Sequence, residues 1–74
     1  MVYKYKIELV TTADITEFVS IATTQDGEIK LVDGTGFCVS GKSLLGAMAA
    51  VEWKSLYCLS EDNIYTLIKK FCVE

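Results

Sequence analysis

The segment that most constrains the fold is Tyr3-Lys4-Tyr5-Lys6-Ile7-Glu8-Leu9, where apolar and charged side chains alternate without a break. A period of two puts Tyr3, Tyr5, Ile7 and Leu9 on one face of a strand and Lys4, Lys6 and Glu8 on the other. A strand over residues 3–9 is therefore half-buried, with one solvated face. The chain has 74 residues, 51% of them apolar, which suffices for one compact core and not for two. A single domain over residues 1–74 is expected, and a folded rather than disordered chain, because so apolar a sequence can bury enough surface to offset its entropy.

After this strand, Thr11 and Thr12 offer hydroxyl caps and Asp14 falls in the following first turn. Ile15, Phe18, Val19 and Ala22 then recur at helical spacing, and Gln25-Asp26-Gly27 ends that helix. Residues 28–32 alternate again. Asp33-Gly34-Thr35-Gly36 is a turn rich in residues that tolerate positive φ, and residues 37–39 form the return strand of a hairpin. Ser40-Gly41-Lys42-Ser43 breaks the pattern before a second helix over residues 44–53. Residues 56–59 read as a fourth strand, and Ser60 as the cap of a last helix with the apolar stripe Ile64, Leu67, Ile68 and Phe71. Lys69 and Lys70 lie near the C-terminal end of that helix, where cations are favoured. The order β-α-β-β-α-β-α, with one apolar face per strand, predicts an α+β fold: an open-faced β-sandwich whose four-stranded antiparallel sheet is covered on one face by three helices.

Histidine is absent, so Ser-His and Cys-His nucleophile pairs and phosphoimidazole chemistry are excluded. Cys38, Cys58 and Cys72 are widely spaced and form no CxxC, which removes the zinc and thioredoxin-like spacings and leaves reduced thiols packed as small apolar residues. No base is near any of them, so a cysteine-based enzyme is disfavoured, and no cofactor is expected. Seven lysines, no arginine and ten acidic residues give a net charge of −3, which argues against a nucleic-acid partner. No run approaches about 18 uncharged apolar residues, and no leader pattern is present. A cytoplasmic protein without membrane association is the expectation.

The second helix is unusual. Leu44-Leu45-Gly46-Ala47-Met48-Ala49-Ala50-Val51-Glu52-Trp53 carries one charge and is apolar nearly all round. Either some of Leu44, Leu45, Met48 and Val51 face solvent or a partner, or Gly46, Ala47, Ala49 and Ala50 let the helix wedge between the others; one short helix can do both. Ser43 at its start reads as a helix cap. Its functional reading is a phosphorylation site, where a phosphate meets unpaired N–H groups with Lys42 beside it. The string from Gly36 to Ser43 fits the bare spacing of a phosphate-binding loop, but Phe37-Cys38-Val39 reads as strand, so its amides pair in a sheet and the match is fortuitous.

The element order, with Phe18-Val19 in the first helix, Glu28-Ile29 opening the second strand and Lys42-Ser43-Leu44-Leu45-Gly46-Ala47-Met48 opening the second helix, resembles the HPr family, the small phosphocarriers of the bacterial sugar phosphotransferase system. In active members a histidine caps the first helix, followed closely by an arginine and a proline. Thr11-Thr12-Ala13-Asp14 occupies that region here, on a shorter loop, and Asp14 and Glu17 would repel a phosphoryl donor. A threonine phosphate ester would not pass its phosphoryl group onward, so the resemblance implies a divergent member without phosphocarrier activity and with no catalytic residue. It also implies that Ser43 matches the serine which, in Gram-positive members, a dedicated kinase phosphorylates to make a corepressor in carbon catabolite control. Leu44, Leu45 and Met48 match the family's exposed patch for partner proteins. The implied role is a non-catalytic regulatory adaptor, with a serine kinase and a transcriptional regulator as partners. The alternative is a structural domain pairing with its own copy, or a degenerate relic without a regulatory role; monomer and weak homodimer both stay open.

Overall fold

The computed structural model describes residues 2–53 and 55–73; Met1, Lys54 and Glu74, which the single-domain reading also spans, lie outside the described residues. The elements are β1 (Tyr3–Ile7), α1 (Thr12–Thr23), β2 (Ile29–Val32), β3 (Cys38–Ser40), α2 (Leu44–Ala50), β4 (Leu56–Ser60) and α3 (Tyr65–Ile68). This is an α+β fold with a four-stranded open sheet of order β1-β4-β2-β3, every pair antiparallel. The strands read from residues 3–9 and 56–59 are direct neighbours although a helix, a hairpin and a second helix separate them in the chain.

Register explains which face is covered. Tyr5 lies opposite Cys58, and Cys58 opposite Leu31, which in turn faces Val39. Directly opposed residues share a face, so Tyr5, Ile7, Leu56, Cys58, Ile29, Leu31 and Val39 point to one side. The core on that side is completed by Ile15, Phe18 and Ala22 of α1, by Ala47 and Ala50 of α2, and by Ile64, Ile68 and Phe71 around α3. Phe18 is fully buried and meets Phe71 edge to face, with ring centroids 6.0 Å apart. The opposite face carries Lys4, Lys6, Tyr57, Leu59, Lys30, Val32, Cys38 and Ser40.

Several boundaries differ from the sequence expectation, each for a local reason. β1 stops at Ile7, because the chain there turns to the C-terminal segment: Ile7 bridges to Cys72, Glu8 N–H donates to Phe71 O (2.8 Å) and Val73 N–H to Lys6 O (2.8 Å). Leu9 is nonetheless buried. α2 stops at Ala50 instead of running to Trp53, since Trp53 N–H bonds three residues back to Ala50 O (3.0 Å) and tightens the last turn. Ser60 does not cap the last helix. It ends β4, and its Oγ accepts from Asp62 N–H (3.1 Å). α3 is one short turn entered through Ile64, which has no side-chain cap bond; the Tyr5 hydroxyl steadies it by donating to Asn63 Oδ1 (3.1 Å) and accepting from Ile64 N–H (3.2 Å). Leu67 leaves the expected stripe and is exposed, while Ile64, Ile68 and Phe71 are buried.

Removing the Phe18 ring is expected to cost about 3–5 kcal/mol in urea unfolding, since it leaves a cavity at the centre of the core. Leu45→Ala is expected to change stability by less than about 0.5 kcal/mol, because that side chain packs against little.

Candidate functional site

The first helix start, where the resemblance places a missing histidine, is occupied by a capping box. Thr11 Oγ1 accepts from Asp14 N–H (3.1 Å), and Asp14 Oδ2 accepts from Thr11 N–H (3.3 Å) and Val10 N–H (3.1 Å). The bonds from Val10 and Thr11 hold the Asp14 carboxyl below its ordinary value. Thr12 is the first helical residue, and its carbonyl accepts from the Thr16 hydroxyl (3.0 Å). Thr11 and Asp14 are thus spent on starting α1, and Glu17 is ion-paired to Lys70.

The second helix divides its faces by side-chain size. Ala47 and Ala50 are fully buried, while Leu44 and Met48, at i and i+4, are each 46% exposed and Leu45 is 80% exposed. Small residues let α2 approach the sheet: a Cβ at Gly46 would stand 3.2 Å from Val39 Cβ. Just before it, Gly41 N–H donates to Ile29 O (2.8 Å), and a Cβ there would meet Ile29 Cγ2 at 2.7 Å. The helix is therefore wedged by Gly46, Ala47 and Ala50 and bare on Leu44, Leu45 and Met48, with Ala49, expected in the wedge, also exposed because it points away from the sheet. Val51, half-buried, packs against the core and does not join the bare face.

Ser43 is the N-cap of α2, half-buried, with Oγ accepting from Gly46 N–H (3.2 Å). The lysine expected beside it is engaged elsewhere: Lys42 Nζ donates to Gln25 O (2.5 Å), tying the end of α1 to this loop. The chance phosphate-loop string runs through β3, whose residues pair with β2 from Lys30 to Val32. Several of its amides are already engaged: Gly36 and Phe37 N–H donate to the Asp33 carboxylate, Gly41 N–H to Ile29 O and Lys42 N–H to Ser40 Oγ.

An aromatic pair that the sequence reading did not single out lies beyond the C-terminal end of α2. Phe37 is 68% exposed, and its ring lies 6.4 Å from that of half-buried Trp53. The turn before Phe37 aims it outward. Asp33 accepts from Thr35 N–H (2.7 Å), Gly36 N–H (3.2 Å) and Phe37 N–H (3.2 Å) through Oδ1 and from Thr35 Oγ1 (2.7 Å) through Oδ2. Gly34 and Gly36 supply the positive φ values of 87° and 126° that the turn requires. Partial burial pushes the Asp33 pKa up, but those hydrogen bonds together outweigh it and hold the carboxyl below its ordinary value. The readable signal was an Asp-Gly-Thr-Gly turn followed at once by a large aromatic.

The cysteines are not alike. Cys58 is fully buried in β4, and burial pushes its thiol up to about 12. Cys38, expected to pack as a core residue, is exposed on the edge strand, because the register of β3 turns it to the uncovered face of the sheet. Among the described residues no group of three or more Cys, Asp or Glu is placed to hold a metal ion, and no helix is long and apolar enough to cross a membrane. Compared with protein-family models, curated proteins and solved structures, the chain finds no match.

In the folded protein an aromatic disulfide reagent is expected to modify Cys38 rapidly and Cys58 only on unfolding. In a Cys72→Ser background, which removes the half-buried third thiol, Cys38→Ser should abolish the fast phase, and a fast phase that survives this change would contradict the assignment.

Proposed function

We propose that the chain is a non-catalytic docking adaptor resembling the HPr family, which binds partner proteins through Leu44, Leu45 and Met48 of α2 and is switched by phosphorylation of Ser43. The observation that carries this reading is the division of α2, which buries only alanines and leaves its three largest side chains to solvent. An apolar helix face left bare in so small a domain is a costly feature unless something covers it. Further support comes from the element order β-α-β-β-α-β-α around an open antiparallel sheet, the arrangement that the resemblance implies. Ser43 stands at the rim of the same face, so a phosphate there would alter the charge bordering the apolar contact without requiring the core to open. With Thr11 and Asp14 tied into a helix cap and no histidine in the chain, the reading contains no phosphocarrier step. It is of a regulatory protein, with a serine kinase and a transcriptional regulator as its partners.

The test joins modification and binding. The protein is incubated with ATP and an HPr serine kinase, its intact mass is measured, and its affinity for a purified regulator of carbon catabolite control is titrated. One added phosphate that Ser43→Ala removes is expected, with binding that Met48→Asp weakens by about tenfold or more while the circular dichroism is unchanged. Absence of both phosphate and binding overturns the reading. A concentration-dependent dimer in sedimentation that Met48→Asp dissociates would replace it with the homodimer.

A further inference from the structure

The three helices leave one side of the sheet without cover, and that side has a definite chemistry. Its first line is Lys4 and Lys6 of β1, its second Tyr57 and Leu59 of β4, and its third Lys30 and Val32 of β2. Three of the chain's seven lysines thus meet on one face, and the strand residues that point there include no carboxylate. Lys30 is ion-paired to Glu28 at the entrance to β2 (3.3 Å). Lys4 and Lys6 have no ion-pair partner among the described residues; Lys4 Nζ rests 4.4 Å from the centre of the Tyr57 ring. Tyr57, Leu59 and Val32 are half-buried. The face is therefore an apolar strip bordered on the β1 side by two lysines with no ion-pair partner among the described residues, in a protein that is acidic overall.

We propose that this open sheet face docks an acidic amphipathic helix of a partner protein. Adjacent strands lie about 4.8 Å apart, so the β1 lysines and Lys30 stand on either side of Tyr57 and Leu59 at about 10 Å, the width of one helix with its side chains. The apolar seam of such a helix would lie along Tyr57, Leu59 and Val32. Its carboxylates would meet Lys4 and Lys6, which have no ion-pair partner among the described residues, and the paired Lys30 would border the far side. A single-stranded nucleic acid fits less well. The face offers one aromatic ring, half-buried and already covered by an ammonium group, and no arginine, where such surfaces use a series of open stacking platforms. This surface lies across the sheet from α2, so it stands or falls independently of the docking face proposed above.

The test uses NMR titration of the ¹⁵N-labelled full chain with a synthetic amphipathic peptide of about 18 residues that has a leucine seam and glutamate flanks. Controls are a scrambled peptide of the same composition and a single-stranded oligothymidylate. Amide shifts centred on Lys4, Lys6, Tyr57 and Leu59 are expected, with affinity falling as salt rises. The Lys4→Glu/Lys6→Glu double variant should weaken binding by about tenfold or more, whereas Lys69→Glu, on α3's C-terminal side, should leave it unchanged. Thermal melts establish that each variant is folded. No binding at about 1 mM peptide overturns the proposal, as does equal binding of the scrambled peptide or tighter binding of the oligonucleotide. Shifts confined to Leu44, Leu45 and Met48 overturn it too, while leaving the α2 reading in place.

Discussion

The structure depends on β4 being bonded on both edges. Leu56–Ser60 pairs with β1 along its whole length and with β2 from Tyr57 to Ser60, so it is the strand that joins the N-terminal segment to the hairpin. Neither β1 nor the β2–β3 hairpin would be expected to stand alone, since an isolated hairpin is marginal in water and a single strand has no partner. At the middle of β4, Cys58 sits fully buried between Tyr5 and Leu31 and beneath the helices. That burial is what pushes its thiol pKa up.

Close approach explains how α2 came to have two characters. Its buried positions are alanines, a Cβ at Gly46 within it would press on Val39 and one at Gly41 just before it would clash with Ile29, so backbone can lie against Ile29 and Val39. With the inner positions filled by small side chains, the apolar area of Leu44, Leu45 and Met48 is left outward. The same packing that stabilises the sheet thus produces the bare helix face. On the other side of the sheet, where no helix lies, alternation in β1 leaves Lys4 and Lys6 in the open. The two faces are chemically opposite, one aliphatic and uncharged, the other cationic around an apolar strip.

Much of this was legible in the sequence. α1 was, because a cap, an acidic first turn and an unbroken i, i+3, i+4 pattern agree with one another, and the structure completes them as a capping box with Phe18 at the core. The hairpin was, because Asp33 and two glycines define the turn chemistry. What the chain did not announce was decided by contacts between distant residues. The pairing of β1 with β4 has no local signal, and the early end of β1 follows from bonds to Phe71 and Val73. Leu67 fitted a helical stripe that α3 is too short to present. Cys38 looked like any buried cysteine until the register of an edge strand turned it outward. At the candidate site, the composition of one helix left open which of Leu44, Leu45, Met48 and Val51 face outward, and packing decided it for the first three, whereas the Phe37–Trp53 pair needed the turn geometry and the tightened end of α2 together.

Both surfaces require β4 at the centre of the sheet, because that position sets which side chains meet the helices and which are left to solvent. Cross-strand NOEs in the free protein test this most directly. The account predicts contacts from Tyr57 and Leu59 to Lys6 and Lys4 on one side and to Val32 and Lys30 on the other, and none running directly between β1 and β2. Direct NOEs between β1 and β2, with β4 at an edge, would contradict it.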